Sequence, residues 1–251
     1  MARLLLALML LVLAAPASAQ QRVLGIDHIP VVVKDLARAR ADFTALGFTL
    51  KPGRPHADGL ENAHVKFADG SEIELISPTT AADALSSQYL DWLREGDGPI
   101  SLGLYRPGST NTPPPGIFFD ARQHSPTDLT EHFEHANGAA SLFAVWLAGS
   151  PAERKLVNLP GAKVTEETVC APFGSAAKLV RFKEGEVPLL PESAQIVPGR
   201  PIVAATIAVK SLDAAHGYLD GKGKRYRQMA GCGRPGLWVE SHGLWLEFSE
   251  R

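Results

Sequence analysis

The first regular pattern in the chain is an alternation of residue types over residues 26–33, followed by a helical period over residues 36–46. Two further alternating segments come later, NAHVKF at 62–67 and SEIEL at 71–75. The helical segment has a narrow apolar stripe, with Asp35 as a suitable N-cap and Gly47 just past its end. These patterns predict one strand, one helix and three further short strands over residues 23–78.

Strand side chains point alternately to the two faces of a sheet, so the alternation assigns each residue to a face. The helix is expected to cover the apolar face. That packing would bury eight apolar side chains: Ile29, Val31, Val33, Phe43, Val65, Phe67, Ile73 and Leu75. The opposite face would present five polar ones: His28, His64, Lys66, Glu72 and Glu74.

This unit resembles the vicinal oxygen chelate superfamily, which is the glyoxalase-like or glyoxalase–bleomycin resistance–dioxygenase group. The matching stretches are I-D-H-I at 26–29, K-D-L at 34–36, L-G-F at 46–48 and G-S-E-I-E-L-I at 70–76. The resemblance implies an α+β fold of repeated βαβββ modules, in which curved mixed sheets form a cleft. It covers residues 23–78 well and the rest of the chain in part.

The resemblance also implies a divalent metal in the cleft, held by His from first strands and Glu from fourth strands. The matching positions are His28 and Glu74, with His64 as a third candidate ligand. Imidazole and carboxylate ligands suit Zn²⁺, Fe²⁺, Mn²⁺, Ni²⁺ or Co²⁺. Substrate contact is expected from four more residues: Lys66, Glu72, His124 and Glu247. The alternative interpretation is a solvated polar face on which Lys66 pairs with Glu72 or Glu74.

Parts of the pattern return near residues 139–191 and 201–251, and residues 99–124 look like the remnant of a further module without its helix. The later copies differ at the site. Ala144 and Ala204 stand where the first module has His28, and only the last module keeps an acid, Glu247. A complete His–Glu–His–Glu ligand set is therefore not available by simple correspondence. We predict two glyoxalase-like domains, residues 21–135 and 136–251, with a helix over residues 125–135.

The start of the chain indicates export. Arg3 precedes an apolar run at 4–15, and Ala-Ser-Ala at 17–19 is a cleavage pattern, so residues 1–19 are predicted to be a signal peptide. The expected location is periplasmic or secreted, with no membrane contact after cleavage. Two cysteines, Cys170 and Cys232, are too few for a disulfide framework. We expect two buried thiols, with a single bridge as the alternative.

Charge is nearly balanced, with 25 basic and 27 acidic residues, so no nucleic-acid or membrane-surface partner is implied, and the expected cleft is predicted to take a small-molecule ligand. The chain contains no G-x-S-x-G motif and no P-loop. Two functions from different classes remain. One is a metal-dependent lyase, isomerase or dioxygenase acting on a small oxygen-bearing molecule. The other is a metal-free protein that sequesters a small molecule in the same cleft.

Overall fold

The computed structural model of the protein describes residues 21–54, 56, 59–109, 116–122 and 124–251. The predicted signal peptide, residues 1–19, lies outside these ranges. Over the described ranges, no helix is both long enough and apolar enough to cross a membrane.

Within its described residues, the first half of the chain contains eight strands and two helices. They are β1 (Gly25–Ile26), β2 (His28–Val32), α1 (Leu36–Ala45), β3 (Lys51–Pro52), β4 (Leu60–Lys66), β5 (Glu72–Pro78), α2 (Ala84–Trp92), β6 (Gly98–Pro99), β7 (Ser101–Tyr105) and β8 (Gly116–Asp120). A short 3₁₀ turn, Thr130–Phe133, precedes the second half.

The second half contains eight more strands and two helices. They are β9 (Ala139–Ala148), α3 (Ser150–Leu156), β10 (Lys163–Cys170), β11 (Ser175–Arg181), β12 (Glu186–Leu190), β13 (Ile202–Val209), α4 (Leu212–Gly221), β14 (Arg227–Ala230), β15 (Pro235–Ser241) and β16 (Leu244–Glu250). A 3₁₀ turn, Ala171–Phe173, follows β10.

The strands form three sheets, with the orders β3-β4-β5-β2-β6, β1-β7-β8 and β10-β11-β12-β9-β13-β16-β15-β14. One pairing recurs through the chain: the first strand of each module lies parallel to its last. It is seen for β2 with β5, β7 with β8, β9 with β12 and β13 with β16. The recurrence supports four modules, of which the second shows only its first and last strands among the described residues.

The first module matches the sequence pattern closely. Asp35 caps α1 by accepting a hydrogen bond from the backbone N–H of Arg38 at 2.9 Å, and Gly47 has a left-handed φ of 98° just past the helix. All eight apolar side chains predicted to lie under the helix are completely buried. They belong to one large apolar cluster that continues into the second half, through residues such as Leu142 and Phe248. The predicted α+β fold is confirmed, whereas the division at residue 135 stays a prediction.

The helix predicted over residues 125–135 is wrong, because only the 3₁₀ turn Thr130–Phe133 forms there. Side chains hydrogen-bond to the local backbone in place of a helical ladder. The carboxylate of Asp128 accepts from the N–H of Ser125 at 2.8 Å, and His132 Nδ1 accepts from the N–H of Leu129 at 3.0 Å. Such bonds compete with helix formation. The edge strands β10 and β14 also form without having been predicted.

The expectation of two unpaired thiols is wrong as well, since Cys170 and Cys232 form a disulfide. Cys170 is the last residue of β10, and Cys232 follows β14 by two residues. These strands are the opposite edges of the eight-stranded sheet. Their 62-residue separation in sequence gives no sign that curvature of the sheet brings them together.

Candidate metal and substrate site

The polar residues predicted for one face of the first module do share it. His28 lies opposite Glu72 in the parallel β2–β5 pair. In the antiparallel β4–β5 pair, His64 lies opposite Glu74, and Lys66 lies opposite Glu72. Partners in register point to the same side of a sheet, and the alternating residues between them are buried beneath α1. The predicted face assignment is therefore confirmed.

Part of this face forms the wall of a small pocket of about 310 Å³. Its lining residues are Asp27, His28, Lys66, Gly70, Glu72, Glu74, Asp120 and Arg122. Four of these were predicted site residues, namely His28, Lys66, Glu72 and Glu74. Asp27, Asp120 and Arg122 were not, and they enter from the end of β1 and from β8.

His28 is the central group of the pocket and is 8% exposed. Its Nδ1 hydrogen-bonds to the carboxylate of Asp27, and its ring meets Phe118 edge-on with centroids 5.1 Å apart. Burial alone would lower the pKa of His28. The hydrogen bond to Asp27 and the charges of Glu72 and Glu74 outweigh burial and raise that pKa to about 9. In this environment His28 binds a proton strongly.

Asp27 is held in turn by Arg122, a residue in the left-handed region with a φ of 49°. The backbone N–H of Arg122 donates to Asp27 Oδ2 at 3.0 Å. Its guanidinium donates to the carbonyl of Ile26 and to Glu184 Oε2, the latter at 2.7 Å. Because Glu184 belongs to the second half of the chain, Arg122 ties the orientation of His28 to packing between the halves.

Lys66 places a positive charge beside the carboxylates. Its Nζ lies 2.9 Å from Glu72 Oε2 and 3.3 Å from Asp128 Oδ2, and Asp128 also binds Lys51. Burial would raise the pKa of Glu72, but the neighbouring His64, His28 and Lys66 hold it far below its usual range. Burial likewise opposes the charge on Lys66, yet attraction to Glu72 and Asp128 raises its pKa. Both groups of the ion pair are therefore charged.

His64 and Glu74 lie at the side of the pocket. Glu74 Oε1 accepts a hydrogen bond of 2.8 Å from Asn62. His64 Nδ1 is 3.4 Å from Glu72 Oε1, and it makes no hydrogen bond within the described structure, nor does Asn62 Oδ1. Asn62 Oδ1 is thus buried without a partner, and His64 Nδ1 has only its 3.4 Å contact with Glu72, an arrangement that is costly unless a ligand or water meets these atoms.

The other two predicted contacts lie elsewhere. The His124 side chain is 57% exposed and stands 3.7 Å from Asp128, at the rim. Glu247 lies in the eight-stranded sheet, where Thr206 Oγ1 donates a hydrogen bond to its Oε2. Contact between Glu247 and the first module required the last module to close over the first. The last module pairs with the middle one through β9 and β13 and packs on the first module through Phe248, which stacks on Phe48, but Glu247 is the preceding strand residue and points to the opposite face.

One group of residues has the composition of a metal site. Asp27, His28 and Asp120 each offer a ligand atom, and these atoms lie within 4.8 Å of one another. Burial, with a further contribution from the charge of Asp27, raises the pKa of Asp120. The predicted set of His28, Glu74 and His64 remains a prediction. Asp120 could have been identified from the sequence. It ends the last strand of the second module, and in the first module the last strand carries the acidic residues.

The charge balance of the pocket also suits a cation. Four carboxylates line it, against two permanent cations, Lys66 and Arg122. The Arg122 guanidinium is already engaged with Ile26 and Glu184. The excess negative charge is what raises the pKa of His28, and a divalent cation would balance the same charge. The donor set of the pocket therefore fits a hard or borderline divalent metal.

Comparisons with known proteins agree with this architecture. Residues 26–104 match the family model described as a glyoxalase-like domain. No curated protein sequence matches the chain. Homoprotocatechuate 2,3-dioxygenase from Brevibacterium fuscum is similar in structure, with a TM-score of 0.60 and 12% identity over 94% of this chain and 83% of that one. A mutant 4-hydroxymandelate synthase from Streptomyces coelicolor has a TM-score of 0.59 and 11% identity over 91% and 93%.

A fusion protein of a xylose isomerase-like TIM barrel with 4-hydroxyphenylpyruvate dioxygenase is also similar, with a TM-score of 0.57 and 11% identity. The match covers 92% of this chain but only 50% of that protein. At these identities the likeness shows the fold alone. Residues 26–104 match a glyoxalase-like domain, and the chain shares the fold of these dioxygenase and synthase structures.

Proposed function

We propose that this chain binds a divalent metal in the pocket of its first two modules and acts there on a small oxygen-bearing molecule. The reaction would be that of a lyase, an isomerase or a dioxygenase. The observation that supports this proposal is the buried grouping of Asp27, His28 and Asp120 in a pocket with excess negative charge. Zn²⁺, Fe²⁺, Mn²⁺, Ni²⁺ and Co²⁺ all accept such ligands.

His28 and Asp120 would hold the metal, and Asp27 would orient His28. Because Nδ1 of His28 is bound to Asp27, Nε2 is the ring nitrogen left for a ligand. When bound, such a metal polarises a carbonyl group or holds two adjacent oxygens of a substrate. Lys66 supplies a fixed positive charge at the pocket wall, suited to an oxygen that carries negative charge.

A metal-free binding protein is the alternative function, and one observation favours it. Lys66 pairs with Glu72, Lys51 pairs with Asp128, and His28 holds a proton when no cation is present. Part of the negative charge of the pocket is thus offset without metal. In that case it would sequester a small polar molecule through Lys66, Glu74 and Arg122.

We further propose that the protein is exported and works in the periplasm or outside the cell, on a small molecule and not on nucleic acid. The signal-peptide pattern at residues 1–19 supports export. The disulfide between Cys170 and Cys232 supports it too, since disulfides persist mainly in oxidising compartments.

Calorimetric titration with each of the five metals tests the metal proposal. Wild type should bind one ion. His28→Ala and Asp120→Asn should each weaken binding by more than about tenfold, because each removes a ligand. His216→Ala is the matched control: this histidine is on α4, beside Asp220, away from the pocket, and its loss should leave the isotherm unchanged.

Affinity in wild type should also fall as pH drops below about 9, the pKa of His28, because the metal competes with a proton. Identical isotherms for wild type and all three variants would remove the metal from the proposal. The metal-free binding protein would then be the better interpretation.

A further inference from the structure

The single disulfide joins the two edges of one curved sheet. β10 and β14 are the outermost strands of the eight-stranded sheet, with six strands between them. Cys170 ends β10, Cys232 follows β14, and their Cα atoms are 4.3 Å apart. The sheet therefore curls until its edges meet, and the disulfide closes its concave face at the meeting point.

Beneath the disulfide lies an aromatic cluster. Trp146 and Trp238 are almost fully buried and meet edge to face, with ring centroids 5.3 Å apart. Phe173, from the 3₁₀ turn directly after Cys170, covers both rings, with its centroid 5.6 Å from Trp146. One side of the cover is therefore the turn that begins at Cys170.

The other side of the cover is the glycine-containing loop at residues 231–234, which lies on Glu247. A Cβ atom on Gly231 would stand 2.2 Å from Glu247 Oε1, so the loop backbone presses directly against the carboxyl group. That oxygen is completely buried and has no hydrogen-bond partner in the described structure. The closed cover therefore keeps a polar atom in an unfavourable environment.

This loop packs on Glu247 and on the aromatic cluster, but its backbone hydrogen bonds are local. Its backbone hydrogen bonds run within the loop, from Gly231 N to Arg234 O and from Gly233 N to Gly231 O, each at 2.7 Å. The strand before it, β14, pairs only with β15. The disulfide is thus the covalent link between the two sides of the cover.

We propose that the Cys170–Cys232 disulfide is a reversible redox site whose reduction by a dithiol separates the edges of the sheet and opens this second cleft. Cys232 is partly exposed, whereas Cys170 is fully buried, so an incoming thiolate reaches Cys232. This site is separate from the pocket at His28, so the proposal does not depend on the metal.

The exchange follows ordinary thiol chemistry. A thiolate of the dithiol attacks Cys232 Sγ and forms a mixed disulfide, while Cys170 leaves as a thiolate and takes up a proton. The second thiol of the reductant then displaces Cys232, which is also protonated. The dithiol leaves as its own disulfide, having supplied the two electrons that reduce the protein.

Hydrogen exchange measured by mass spectrometry, before and after treatment with dithiothreitol without denaturant, tests the proposal. Reduction should accelerate exchange by roughly tenfold or more in residues 171–175 and 227–238, which cover the cleft. Residues 28–32 and 60–78 of the first module should be unchanged. Acrylamide should quench tryptophan fluorescence more strongly in the reduced protein, and reoxidation should restore both signals.

Cys232→Ser should show the open pattern without reductant, and dithiothreitol should add nothing to it. Three results would overturn the proposal. The disulfide could resist dithiothreitol in the folded protein, as judged by thiol alkylation. Exchange over the cleft could stay unchanged after reduction. Exchange could instead rise equally in residues 28–32 and 60–78, which would show that the disulfide stabilises the whole fold.

Discussion

The two clefts of this molecule are built from the same kind of curved sheet but have opposite contents. The cleft of the first half is a polar pocket lined by His28, Lys66 and four carboxylates. The cleft of the second half is packed with Trp146 and Trp238 and closed by a disulfide. One presents charged side chains to a pocket, whereas the other is part of the hydrophobic core in the oxidised protein.

Two glutamates, each on the last strand of its module, show how the clefts differ. Glu72 has Lys66 Nζ at 2.9 Å, and its pKa is far below the usual range. Glu247 has Arg251 only at 4.0 Å, and burial raises its pKa to about 7 despite the hydrogen bond from Thr206. Ala144 lies opposite Thr206 in the sheet, and Ala204 is in the same cluster, so no imidazole accompanies Glu247. The residues around each glutamate therefore decide whether its carboxyl group is charged.

The largest expected effect on stability comes from removing a buried indole from the second cleft. Trp238→Ala should lower the free energy of unfolding by about 3–5 kcal/mol in urea melts, because the indole is completely buried. Val169→Ala, which shortens a 70% exposed side chain of the same sheet, is the control and should change it by less than about 0.5 kcal/mol. A loss below about 1 kcal/mol for Trp238→Ala would mean that the cleft is not a packed core.

Glu247 should make the second cleft sensitive to pH. Its pKa is about 7 when folded against 4.5 when unfolded, so the folded protein holds the proton more tightly. Stability should therefore fall as pH rises from 4.5 to 7, by up to about 3 kcal/mol, and stay level above. Glu247→Gln should remove this slope, whereas the exposed Glu240→Gln should keep it. If the stability of Glu247→Gln still falls over this pH range, a different titrating group causes the fall.

His28 should make the stability of the protein depend on pH over a different range. Its pKa rises from 6.5 to about 9 on folding, so its contribution is fully present below pH 6.5 and is lost as pH rises through 9. The loss in metal-free protein should reach up to about 3 kcal/mol. Urea melts of His28→Gln should lack this loss, while His216→Gln should retain it. Equal profiles for wild type and His28→Gln would contradict the strong interaction with Asp27.

The smallest effect is expected at the rim of the first cleft. His124→Ala should change stability by less than about 0.5 kcal/mol, because its side chain is 57% exposed. Metal titration of the same variant should match wild type. Weaker metal binding would place His124 at the site, where the sequence predicted a substrate contact.

Local patterns in the sequence were enough to predict the first module. Alternation of apolar and polar residues assigned Ile29, Phe67 and Leu75 to the core and His28 to the opposite face, and each assignment holds. Alternation and helix caps are set by neighbours within a few residues, so they can be read without the fold. The helix predicted over 125–135 failed because the side chains of Asp128 and His132 each accept a hydrogen bond from the backbone N–H three residues earlier, which residue spacing does not reveal.

Tertiary structure alone decided which distant residues meet. Asp120 reaches His28 because β8 pairs with β7 beside the first module, and Glu247 is kept away because it faces the side of its sheet opposite to Phe248, which packs on the first module. Cys170 and Cys232 meet because the eight-stranded sheet curls until its edges touch. These contacts depend on strand pairing and sheet curvature across the whole chain. Residue type and spacing therefore determined which groups each module offers, and packing of the modules determined which of them form a site.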